Sequence, residues 1–129
     1  MSNHHAALVR RIGDRSASVG VIGLGYVGLP LALLFEESGF PVVGFDVDPE
    51  KVAALNRGEC YIRHVDPVRV KRARDTKLFE ATADFTRLHE PDAILICVPT
   101  PLTPQKEPDL TYVRQTAEAI RRHLRRGQL

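Results

Sequence analysis

The chain has 129 residues, the length of one ordinary domain. Its 43% hydrophobic and 26% charged residues exclude a disordered chain, and two cysteines exclude a disulfide scaffold. Eighteen Lys and Arg against sixteen Asp and Glu leave a net charge of +2, too mild to imply nucleic acid as partner, and no run approaches the ~20 apolar residues of a membrane span.

The first eighteen residues lack a signal-peptide core, so the expectation is a soluble cytoplasmic protein. Residues 5–14 set Ala6, Leu8, Val9 and Ile12 among basic residues, which predicts a short amphipathic surface helix. Residues 1–18 then form an N-terminal helical extension. The β-branched run at 19–22 reads as a buried strand. Residues 27–38 have helical length and stop at Gly39, with Pro30 in the first turn where its missing N–H costs little. Residues 41–46 form a second apolar run of strand length. Asp48 before Pro49 and Glu50 predicts a helix start, and Gly58 its end. Residues 66–76 read as a basic helix, 77–82 as a short strand, and 85–89 as a brief helix capped by Asp84. Residues 93–98 (AILICV) are a third strong buried strand. A proline-rich loop follows, and then a helix capped by Asp109, running to about Leu124 and terminated by Gly127. Strands alternating with helices predict an α/β fold with a parallel sheet and right-handed crossovers.

The first strand runs directly into Gly23-Leu24-Gly25-Tyr26-Val27-Gly28, a GxGxxG sequence. Gly23 permits the tight turn, Gly25 lets the backbone approach a pyrophosphate, and Gly28 lets the following helix pack on the strand. The helix N-terminus then offers free N–H groups and a positive dipole end to phosphates. A lone GxGxxG is weak evidence, but here a strand precedes it, a helix follows and a second strand comes next. Asp46 ends that second strand, where a carboxylate can accept bonds from the adenosine ribose or merely cap the next helix. Asp48 is the better cap, which leaves Asp46 for a ligand. A carboxylate there repels the extra phosphate of NADP, so NAD is the expected cofactor.

The stretch 21–30 (VIGLGYVGLP) resembles the opening of nucleotide-sugar dehydrogenases of the UDP-glucose/GDP-mannose type. Phe45-Asp46-Val47-Asp48 with Lys51 resembles that family's ribose-binding segment, and 97–101 (CVPTP) with 107–110 (EPDL) resembles its fourth strand and the loop beyond. The resemblance covers residues 19–129. It is similar in particular to the bacterial branch that oxidises UDP-N-acetylhexosamines. It implies a Rossmann-like NAD-binding domain over 19–129, with helices on both faces of a mostly parallel sheet that is incomplete at its C-terminal side. It further implies a homo-oligomeric enzyme that oxidises the C6 alcohol of a UDP-sugar to a carboxylate, reducing two NAD through a cysteine-bound intermediate. Carried over by position, the cofactor-binding residues are Gly23, Leu24, Gly25, Tyr26, Val27 and Gly28 at the phosphate loop, Asp46 and Lys51 at the ribose and adenine end, and Val98, Pro99 and Thr100 at the end of the fourth strand. Tyr26, Lys51 and Thr100 each also have an ordinary reading, as a packing, a solvated and a turn residue.

The family's catalytic lysine and cysteine lie further on than Leu129, so no catalytic residue is assigned here. Cys97 reads as a buried, inert thiol, Cys60 has no paired histidine, and no CxxC or HxxxH suggests a metal. Arg121, Arg122, Arg125 and Arg126 read as a solvated helix end. A stand-alone NAD(H)-sensing module and a different Rossmann dehydrogenase are the competing readings. With strand order 3-2-1-4, strand 93–98 becomes a bare edge that invites pairing with another chain.

Overall fold

A computed structural model describes residues 3–129. The elements are α1 (His4–Gly13), β1 (Val19–Ile22), α2 (Gly28–Glu37), β2 (Val42–Phe45), α3 (Pro49–Asn56), α4 (Pro67–Thr76), β3 (Phe79–Thr82), a 3-10 turn (Phe85–His89), β4 (Ala93–Ile96) and α5 (Thr111–His123). The strands form one fully parallel sheet in the order β3-β2-β1-β4. The chain therefore builds outward from β1 to β3, then returns across the other face to place β4 beside β1. That reversal lies between β1 and β4, where open α/β sheets bind ligands at the strands' carboxyl ends.

Both faces are covered. On one, Val19, Val21 and Val42 pack against Leu29, Ala32 and Leu33 of α2, with Leu55 of α3 and Val70 of α4 in the same cluster. On the other, Ile22 and Phe45 pack with Leu88 of the 3-10 turn and with Ala119 and Ile120 of α5. The aspartate starts behave as their sequences dictate: Asp48 accepts from Glu50 N–H at 2.9 Å, and Asp66 from Val68 N–H at 3.0 Å, each ahead of a proline.

The start of α5 departs from expectation. Asp109 accepts from Thr111 N–H at 2.9 Å, but it stands one residue outside the cap position, while the helix ends at His123, where the sequence put it. Just beyond it, Arg125 donates to the carbonyls of His89, Glu90 and Pro91 and ties the stretch after the helix to the 3-10 turn and the start of β4. Gly127, at φ +87°, lies in the turn that follows.

The lower edge of the sheet is tied by one carboxylate. Asp92 is 3% exposed and meets Arg11 of α1 at 2.7 Å, Arg125 at 3.0 Å and Ser18 N–H at 2.8 Å. This node anchors α1, which buries none of its own residues. It also fixes the C-terminal stretch, so that Leu129 donates to Asp92 O and accepts from Ile94 N–H. The expectation of a bare β4 edge is thereby corrected at its first rung. Further along, Ile96 is 46% exposed, and its outward N–H has no partner among the described residues.

Candidate functional site

A cleft of about 770 Å³ opens at the carboxyl ends of β1, β2 and β4, within the roughly 300–1,000 Å³ usual for small-molecule sites. Its border includes residues 23–27, Asp46, Lys51 and residues 98–100. Every residue assigned to the cofactor from the sequence thus meets in one place except Gly28, which lies behind the loop.

The glycines divide by what surrounds them. Gly23 takes φ +96°, and a methyl there would stand 2.6 Å from Cys97 O. A methyl on Gly28 would stand 1.6 Å from Gly23 O. A methyl on Gly25 would meet nothing within 4 Å apart from its chain neighbours. Two glycines therefore let backbone meet backbone, while the third leaves open space facing the cleft. Next to that space, the N–H groups of Gly25, Tyr26, Val27 and Gly28 have no partner among the described residues. They are the orphan donors of the α2 N-terminus, which also carries the positive end of the helix dipole. This donor set suits the two phosphates of a dinucleotide.

Asp46 is not left free, as the sequence suggested. Its Oδ2 accepts from Leu24 N–H and its Oδ1 from Asp48 N–H, both at 2.9 Å. A carboxylate has about four lone-pair sites, so two stay available to ribose hydroxyls while the other two hold the loop. Lys51 lies with its Nζ 5.5 Å from the ring centroid of Tyr61. Tyr61 in turn donates to Leu24 O at 2.5 Å. Burial, aided by Asp46, raises the phenol's pKa, so it stays a donor. Tyr26 is 68% exposed and stacks on His64 with centroids 5.3 Å apart.

Cys97 also departs from the sequence reading. It is half-buried, packed against the larger core on one side and bordering the cleft on the other, because it follows the last residue of β4 directly beneath Gly23 and Gly28. Burial still raises its thiol pKa. Cys60 is held by sulfur contacts to Ile62 O and Val65 O. Among the described residues, no group of three or more His, Cys, Asp or Glu side chains is placed to hold a metal, and no helix is long and apolar enough to cross a membrane.

The sequence reading missed the wall opposite the loop. Tyr112, Gln115, Thr116 and Ala119 of α5 close that side, with Phe45 and Phe85 as an apolar floor stacked at 5.8 Å. The spacing 112, 115, 116, 119 marks one helical face and was readable in advance. That this face turns to the cleft was not.

A parallel sheet with a reversal between β1 and β4, and a glycine turn leading into a helix with free N–H groups, define a dinucleotide-binding domain. Residues 17–129 match the UDP-glucose/GDP-mannose dehydrogenase family, NAD binding domain, and the chain belongs to that family. NAD is accordingly its cofactor. It is 41% identical over 114 residues to the UDP-N-acetyl-D-mannosamine dehydrogenase of Escherichia coli K12, covering 88% of this chain and 26% of that protein. To the UDP-N-acetyl-D-glucosamine 6-dehydrogenase of Pseudomonas aeruginosa it is 35% identical, covering 89% and 26%. The crystal structure of the NDP-N-acetyl-D-galactosaminuronic acid dehydrogenase from Methanosarcina mazei Go1 superposes with a TM-score of 0.85 at 30% identity, over all of this chain and 29% of that one. The chain thus spans about a quarter of the length of the curated relatives it matches.

Proposed function

We propose that this domain holds NAD for the oxidation of a UDP-N-acetylhexosamine at C6, from alcohol to carboxylate. The observation that carries the cofactor half is the row of four N–H groups at the start of α2 without a partner among the described residues, beside the cleft that Asp46 lines. The relatives' names carry the substrate class. NAD bound here supplies the hydride acceptor. Alcohol to acid is a four-electron change, so two NAD are reduced and one water is consumed per sugar.

Each residue of the cleft then has a task. The N–H groups of residues 25–28 bind the pyrophosphate. Asp46 takes the adenosine ribose hydroxyls with its two remaining lone-pair sites. Its charge repels a 2′-phosphate, which selects NAD over NADP. Lys51 sits beside the adenosine end. Residues 98–100 border the cofactor beyond β4, and Pro99 among them has no backbone N–H to offer. Neither cysteine is arranged as a nucleophile: Cys60 is bound to two carbonyls, and the thiol of Cys97 is raised in pKa. We place the thiol that carries the sugar, and the substrate-binding groups, outside these 129 residues. The chain by itself is expected to reduce no NAD.

Calorimetric titration with NAD and NADP tests the reading. Saturable NAD binding, with NADP weaker by about tenfold or more from like-charge repulsion, and loss of NAD binding in Asp46→Ala are expected. A folded chain that binds both cofactors equally, or neither, overturns it.

A further inference from the structure

We propose that Tyr61 is a positioning residue for the phosphate loop, holding the Leu24 carbonyl so that the N–H groups of Gly25 and Gly28 stay turned to the cofactor phosphates. The idea rests on the NAD-binding reading above and assigns a task to a residue outside the GxGxxG sequence. Tyr61 follows α3 on the segment that leads to α4, 37 positions from its partner.

The geometry begins with one peptide group. The peptide bonds here are trans, so Leu24 C=O and Gly25 N–H point in opposite directions. Leu24 is fully buried, and its carbonyl has Tyr61 Oη as partner at 2.5 Å. Its own N–H is held from the other side by Asp46 at 2.9 Å. With both ends of the residue fixed, Gly25 N–H has one direction left, away from Tyr61.

The second consequence concerns the helix ladder. In an α-helix, Leu24 O is the natural acceptor for Gly28 N–H, four residues on. Here the ladder starts one step later, with Leu29 N–H to Gly25 O at 3.1 Å. Tyr61 takes one lone pair of that carbonyl and fixes its direction, and Gly28 N–H has no partner among the described residues. By fixing the Leu24 carbonyl, the phenol keeps these two orphan donors in place without touching the ligand. The same segment braces the loop again through His64 on Tyr26.

Removal of the hydroxyl in Tyr61→Phe keeps the ring, its packing and its contact with Lys51. The buried Leu24 carbonyl is then orphaned, and its nearest remedy is Gly28 N–H. That rotation withdraws both donors from the phosphates. NAD affinity of the 129-residue chain is expected to fall about three- to tenfold, the usual net worth of a hydrogen bond or slightly more. Affinity for adenosine, which has no phosphate, is expected to stay unchanged.

Amide hydrogen exchange supplies the separate readout. Gly28 N–H should exchange more slowly in Tyr61→Phe than in the parent, because it gains a partner. General loosening of the loop would speed exchange instead. Unchanged NAD affinity, an equal loss for adenosine, or unchanged or faster Gly28 exchange overturns the proposal. If the parent binds no NAD while Gly28 exchange still slows, the cofactor reading fails and the control of the loop by Tyr61 stands.

Discussion

The clearest consequence of the loop geometry is that Gly25→Ala and Gly28→Ala should fail in opposite ways. At Gly28 the added methyl lands 1.6 Å from a backbone oxygen, and ordinary contact begins at 3.4 Å. The two segments must part by about 1.8 Å, and no rotamer relieves the clash because the neighbour is main chain. Since α2 carries Leu29, Ala32 and Leu33 at zero exposure, displacing it disturbs the larger core. The cost is about 3 kcal/mol or more, the upper end of overpacking, and Tm should fall by about 10–15 °C for a domain of this size. At Gly25 nothing lies within 4 Å and φ is not in the left-handed region. Alanine there restricts the unfolded chain and stabilises by about 0.4–1 kcal/mol, so Tm holds or rises by a few degrees. The same methyl occupies the space a pyrophosphate needs, at about 1–3 kcal/mol, or roughly a 5- to 150-fold loss of NAD affinity. Thermal melts with parallel NAD titrations read both effects. Equal destabilisation by the two variants, or unchanged NAD affinity in a folded Gly25→Ala chain, refutes the division of labour.

Two further outcomes follow from other parts of the fold. Burial alone would raise the carboxyl of Asp92, but Ser18 N–H, Arg125 and Arg11 outweigh it and hold its pKa below the usual range. Stability from a depressed carboxylate is full above its unfolded pKa and is lost as pH falls through the folded value. Asp92→Asn should therefore be less stable than the parent near neutrality, by about 1.5–3 kcal/mol for lost charge-assisted bonds, and the gap should close in urea melts taken below about pH 4. A gap independent of pH counts against the node. At the β4 edge, Ile96 leaves an exposed side chain and an unpartnered N–H beyond the single rung covered by Leu129. We expect concentration-dependent self-association in sedimentation, suppressed by Ile96→Lys; a parent chain that stays monomeric at every concentration contradicts this.

The sequence by itself determined most of the architecture, because the signals were local. Apolar β-branched runs at 19–22 and 93–98, aspartate–proline starts at 48–49 and 66–67, and a glycine turn between strand and helix each depend on residues a few positions apart. The phosphate loop and Asp46 were legible for the same reason: their spacing expresses one strand–turn–helix–strand unit. Tertiary structure alone decided what requires distant segments to meet. Asp46 is a builder of the loop as well as a candidate ribose ligand, because β2 brings it within 2.9 Å of Leu24 N–H. Tyr61, whose contact with the loop no local spacing announces, reaches that same residue from 37 positions away. Arg125, read as part of a solvated helix end, instead ties the stretch after α5 to the carbonyls at 89–91. Cys97, read as core from its apolar run, stands at the cleft because its strand ends one residue before it. In each case the deciding contact is long-range, and a hydrogen bond between distant residues leaves no periodic trace in the chain that makes it.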